Sequence, residues 1–294
     1  MSDYLVKAIS QDGLLRAYAV DATQLVSEAQ QRHDTWSASS AALGRTMIGT
    51  LLISSGMLQG AEKLTTRVMG DGPVGAIVVD GNAYGDIKGY ISEPHVNLPL
   101  NLVGKIDVKR AVGTSGMLSI TKDLGLKEPF TGQVPLVSGE LGEDFTYYLA
   151  KSEQIPSAVG LSVFVNADNT IGVAGGFMIQ VLPNADDQQL SQLEANLKAL
   201  PLVSELLRAK QTPEDILELI LGAGNVKVLD KMPVQFKCDC SKAHFGAIMA
   251  SLGQNELQQM IDEDGGAEAV CKFCGNKYQY SVADLQALMG KAEK

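Results

Sequence analysis

The residues best suited to do chemistry lie near the C-terminus, as Cys238-Asp239-Cys240 and Cys271-Lys272-Phe273-Cys274. They are the only four cysteines in 294 residues, and they come as two pairs. Zn²⁺ is well served by four soft sulfurs in a tetrahedron, and each pair supplies two from one tight turn. The spacing of the second pair is that of a zinc knuckle, and Gly275 and Asn276 relax the turn that follows. The first pair is one residue tighter. A closed site of four thiolates, Cys238, Cys240, Cys271 and Cys274, is the economical reading. The competing readings are four unrelated buried thiols, or His244 in place of one sulfur.

A zinc ion closed off by four thiolates has no open position for catalysis, so its first job is to hold a fold together. Structural zinc is worth on the order of 10–16 kcal/mol, against about 5–15 kcal/mol for a whole domain. Loss of the metal should therefore unfold a small module around it. Metal-bound sulfurs are also thiolates, the form that oxidants attack. Once oxidised, each pair can close on itself, easily across Cys271–Cys274 and with more backbone bending across Cys238–Cys240.

The elements that must position these residues form a module over 233–294: a cysteine hairpin, helices near 242–251 and 255–262, a second cysteine hairpin and a last helix near 281–289. Before it, residues 183–232 read as a helical linker. Leu190, Leu193, Leu197 and Leu200 make an apolar seam, and Thr212-Pro213-Glu214-Asp215 is a strong helix start. Residues 1–182 read as a body of mixed strands and helices. Strand–turn pairs flank Gln11-Asp12-Gly13 and Asp80-Gly81-Asn82, Asp21 is placed to cap a helix, and a small-residue helix covers Ala41 to Leu58. The fold class is α+β: a mixed β-sheet body with helices, a helical linker and a small zinc-binding module.

Composition sets limits. A net charge of −10 opposes broad binding to nucleic acid or anionic lipid. Residues 41–58 are apolar but include Arg45, which favours a buried core helix over a membrane span. With no cationic-then-apolar leader, the expected location is the reducing cytoplasm, where clustered cysteines bind metal or do redox chemistry.

The segments Val-Gln-Phe-Lys-Cys-Asp-Cys-Ser (234–241), Leu-Gly-Gln-Asn-Glu-Leu (252–257), Ile-Asp-Glu-Asp-Gly (261–265) and Cys-Lys-Phe-Cys-Gly-Asn-Lys-Tyr-Gln-Tyr (271–280) resemble the redox-switch module of the 33-kilodalton heat-shock chaperone family. The Gly70-Asp71-Gly72-Pro73 turn and the chain length also fit. The resemblance implies an ATP-independent holdase, not an enzyme, that is quiescent when reduced and holding one zinc ion. It further implies that oxidants form the disulfides Cys238–Cys240 and Cys271–Cys274 and expel the metal. The linker and module then unfold, and a homodimer binds unfolding client proteins under oxidative and heat stress.

Two other functions compete. A thiol–disulfide oxidoreductase would use Cys271 and Cys274, but such a pair normally opens a helix, and here Tyr278-Gln279-Tyr280 reads as strand. A zinc-dependent nucleic-acid module lacks a basic face, because residues 233–294 carry six lysines against eight acids. No nucleotide site is expected. Gly70-x-Gly72-x-x-Gly75 has the dinucleotide spacing, yet it leads into a strand and not a helix. His33, His95 and His244 form no triad by spacing.

Overall fold

The computed structural model describes residues 2–290, and the chain divides into two compact units between Lys237 and Cys238. In chain order the first unit holds β1 (Tyr4–Ser10), β2 (Leu15–Asp21), α1 (Thr23–His33), α2 (Ser37–Met57), β3 (Lys63–Met69), β4 (Ala76–Asn82), β5 (Asp86–Ile91) and α3 (Val108–Val112). It continues with β6 (Met117–Asp123), β7 (Phe130–Pro135), α4 (Gly142–Lys151), β8 (Ser157–Val165), β9 (Ile171–Val181), α5 (Asp187–Ala199), α6 (Val203–Arg208), α7 (Pro213–Leu221), β10 (Val226–Pro233) and β11 (Gln235–Phe236). The second unit holds α8 (Lys242–Ala250), α9 (Gln254–Asp264), β12 (Gly266–Val270), β13 (Lys277–Ser281) and α10 (Val282–Met289). The α+β class read from the sequence is the observed one.

Two sheets form the first unit, in strand orders β10-β1-β2-β9-β8 and β11-β5-β4-β3-β6-β7. Between them runs α2, which packs on β8 and β9 of one sheet and β3, β4 and β5 of the other. Of its 21 residues 17 are buried, so the helix is lined by protein on every side and needs no amphipathic stripe. Its small residues make room for neighbouring side chains. A Cβ on Gly49 would meet the Phe145 ring at 2.3 Å, and one on Gly44 would meet Val26 at 2.7 Å. Thr50 bonds Thr66 of β3 at 2.9 Å, which fixes the helix on the second sheet. Arg45 leaves the core toward Glu140, at 2.7 Å. Among the described residues no helix is long and apolar enough to cross a membrane.

The far face of the first sheet is also covered. Val6, Ala8, Ala17, Ala19, Phe177 and Ile179 pack with Leu193, Val203, Leu206, Leu207, Ile216, Leu217 and Ile220 of α5, α6 and α7. Thus the leucine seam read as linker lies on this sheet, with Leu193 buried and Leu197 and Leu200 partly so. Thr212 caps α7 as its sequence predicts, in a reciprocal box with Asp215. Glu214, in the first turn of α7, accepts from the Tyr4 hydroxyl at 2.8 Å and pairs with Lys231, so it joins the helix to β1 and β10.

Two local expectations are corrected. The 183–232 segment is not helical throughout, because its end forms β10, which pairs antiparallel with β1. Val226-Lys-Val alternates in sequence, but residues 227–231 are all exposed, so no buried apolar period marks the strand. Asp21 is not the cap of α1 either. It accepts from Thr23 in a local turn, while the N–H of Leu25 donates to Asp3 at 2.7 Å. A carboxylate 22 residues away thus satisfies the helix start. The Gly70–Pro73 turn is a packing device: a Cβ on Gly70 would lie 2.1 Å from the Val112 carbonyl oxygen, and Asp71 accepts from Thr114 and Ser115.

Candidate metal centre

The sulfur atoms of Cys238, Cys240, Cys271 and Cys274 all lie within 4.8 Å of one another. None is in a disulfide. Between the two pairs, Cys238 and Cys271 approach to 3.7 Å and Cys240 and Cys274 to 3.3 Å.

Two turns aim these sulfurs. The Cys271–Cys274 turn is the tip of the β12–β13 hairpin, whose register runs from Gly266↔Ser281 to Val270↔Lys277. Cys271 donates its N–H to Asn276 and accepts from Gly275, which takes a positive φ of 73° that a side chain would strain. Cys238 and Cys240 stand just before α8, whose cap is Ser241, accepting from the His244 N–H at 3.1 Å. Backbone N–H groups of Cys240 and Asn276 reach the sulfurs of Cys238 and Cys274. Both turns therefore present sulfur to a common centre and N–H groups to the sulfur.

The thiols are electrostatically uneven. Burial pushes Cys238 up to about 11 and raises Cys274 further. At Cys240 burial acts in the same direction, but hydrogen bonds from the Tyr278 hydroxyl and the neighbouring thiols outweigh it and bring the group down to about 7. Four thiolates so close would repel one another without a cation among them.

The set fits such a cation. A tetrahedron with Zn–S bonds of about 2.3 Å has S···S edges of about 3.8 Å; the contacts of 3.3 and 3.7 Å fall at or below that edge, and all four sulfurs lie within 4.8 Å of one another. The donor set is all sulfur, which suits zinc over hard cations. His244 is exposed, stacks edge-on with Phe245 and contributes nothing to the cluster.

The surrounding unit is thin. Among the described residues its core cluster has Met249, Leu257, Tyr280 and Leu285 buried, with Phe245, Met260 and Ile261 partly covered and Ile248, Leu252 and Val270 exposed. Cys271 and Cys274, in contrast, are 4% and 3% exposed. Their place in a hairpin tip, not at a helix start, departs from the oxidoreductase arrangement. Tyr278 is the participant that spacing did not single out: its hydroxyl lies 3.2 Å from the Cys240 sulfur.

Comparison with known proteins agrees with this geometry. The family model described as "Hsp33 protein" matches residues 3–281. The 33 kDa chaperonin of Lacticaseibacillus casei is 66% identical, covering 100% of both chains. That of Listeria monocytogenes is 56% identical, again over 100% of each. The crystal structure of the 33 kDa chaperonin from Thermotoga maritima superposes with a TM-score of 0.93 at 35% identity, covering 100% of each chain. With its two-sheet body and its four-cysteine centre, the chain belongs to the Hsp33 family, and so is a chaperone and not an enzyme.

Proposed function

We propose that the chain is a redox-gated, ATP-independent holdase of the cytoplasm, quiescent when its four cysteines are reduced and hold one Zn²⁺. The observation that carries this reading is a four-sulfur cluster set in a unit whose core cluster, among the described residues, has four buried side chains. Such a unit depends on whatever ties its two hairpins together. Cys238, Cys240, Cys271 and Cys274 would hold the ion, which supplies charge compensation and a crosslink.

Oxidation removes the ligands. One thiolate of a pair attacks peroxide, gains oxygen as a sulfenic acid and releases hydroxide. The second thiolate then attacks that sulfur, forming the S–S bond and releasing a second hydroxide. Two electrons pass to the oxidant per bridge, and hypochlorite serves equally. We assign the bridges to Cys238–Cys240 and Cys271–Cys274. Every sulfur is near every other in the reduced cluster, but only partners within a pair stay adjacent once the unit loosens.

Functionally the chain divides into a body at 1–182, a linker at 183–232 and a switch at 233–294. The switch begins at the end of β10 and includes β11, so its unfolding loosens the segment that covers the first sheet. The apolar face beneath α5, α6 and α7 then binds unfolding clients; that the active form is a homodimer is what the family resemblance implies.

The reading is tested by light scattering from a thermally unfolding client, without nucleotide. Oxidised, zinc-depleted protein should suppress aggregation and reduced protein should not. Equal suppression in both states would remove the switch.

A further inference from the structure

Tyr278 is the second residue of β13, opposite Ala269, and so belongs to the hairpin that carries Cys271 and Cys274. Its hydroxyl nevertheless serves the other pair: it donates to the Cys240 carbonyl at 3.0 Å and lies 3.2 Å from the Cys240 sulfur. The ring is held by Phe245 of α8, at 5.5 Å between centroids. Rotation about the C–O bond carries the single hydroxyl proton between the two acceptors without moving the ring. A thiolate has no proton to give, so toward a reduced, ligating Cys240 the tyrosine is the donor.

A sulfur that accepts a hydrogen bond shares its lone pair with the proton, and it becomes a weaker nucleophile toward peroxide. The same contact ties the Cys238–Cys240 turn to the second hairpin, which holds back the bending a Cys238–Cys240 bridge requires. Both effects have one sign. We propose that Tyr278 is a positioning residue that restrains oxidation of Cys240 and thereby sets the oxidant level at which the first pair closes. This rests on the switch reading given above.

A second tyrosine supplies the control. Tyr280, two residues on and facing the unit's core, donates its hydroxyl to the Lys242 carbonyl and reaches no sulfur. Tyr278→Phe and Tyr280→Phe each delete one hydroxyl bonded to backbone at the base of α8, but only the first also faces a thiolate.

The experiment uses full-length, reduced, zinc-loaded protein. Brief alkylation followed by mass spectrometry gives the rate at Cys240 relative to Cys274, a colorimetric chelator follows zinc release under excess peroxide, and a Co²⁺-substituted sample gives the sulfur-to-metal charge-transfer band. Tyr278→Phe should raise the Cys240 rate and the zinc release rate roughly three- to tenfold and move the cobalt band to longer wavelength. Tyr280→Phe should leave the relative rate and the band at parent values, even if it lowers the unit's melting temperature. A Tyr278→Phe protein with the parent's rate ratio and band would overturn the proposal. So would one unable to take up metal, because the hydroxyl would then hold the ligand set and not restrain it. A parent protein that kept its zinc through complete oxidation would instead overturn the switch reading, while the alkylation ratio and cobalt band would still report on Tyr278.

Discussion

The carboxylate of Asp86 accepts a hydrogen bond from the Lys237 ammonium at 2.9 Å, which ties the residue directly before Cys238 to β5. Asp86 also accepts from the Gln235 amide at 2.8 Å, and the Lys237 N–H donates to Ile87. Phe236, between them, is buried beneath the Arg32 guanidinium, 5.1 Å from the ring centroid. A two-residue parallel strand, β11, thus anchors the chain where it leaves the body.

Removing this anchor should be measurable in the urea midpoint of the reduced protein. Phe236→Ala is expected to cost about 3 kcal/mol, and Asp86→Asn about 1 kcal/mol, since Lys237 is largely exposed. Burial alone would raise the Asp86 carboxyl, but the bonds from Gln235, Lys237 and Asn82 hold it below the usual carboxylate range. Its contribution is therefore present at neutral pH and lost as pH falls through that depressed value. The parent's advantage over Asp86→Asn should be full at pH 7 and shrink below about pH 4.

The covered face of the first sheet gives a second prediction. Ile216 of α7 is fully buried against it, so Ile216→Ala should cost about 2–5 kcal/mol. If that face receives clients, the variant should suppress part of the aggregation while still reduced and metal-loaded. A destabilised variant that stays silent until oxidised would place the client surface elsewhere.

Asp3 makes a third. Burial raises its carboxyl to about 6, despite bonds from the N–H groups of Leu25 and Gln24. The folded state therefore holds this proton more tightly than the unfolded chain does. The stability it contributes is full below the unfolded value near 3.8 and is lost as pH rises through about 6. Asp3→Asn keeps an acceptor for Leu25 but cannot ionise. Relative to the parent, it should gain stability between pH 4.5 and pH 7.5, as read from urea midpoints at the two values.

How much was legible follows from where each signal lies. The cysteine pairs announce their chemistry because ligand type and spacing are local. The Thr212 cap and the helix it starts are also local. The strand β11 is hidden because two residues carry no period, and its pairing partner lies 149 residues away, at Asp86 from Gln235. Asp3 as the cap of α1 is hidden for the same reason, and Asp21, nearer in sequence, is the more plausible candidate on paper. The glycines of α2 signal close packing, but only the fold reveals that Phe145 and Val26 fill the space. Tyr278 reads as one more alternating strand residue, because its role depends on two hairpins meeting.

The most direct test follows bound zinc, titratable thiols and client aggregation together in one peroxide time course. The account predicts that one zinc leaves as four thiols disappear, and that suppression of aggregation rises with them. Suppression that is already complete while all four thiols and the metal remain would contradict it.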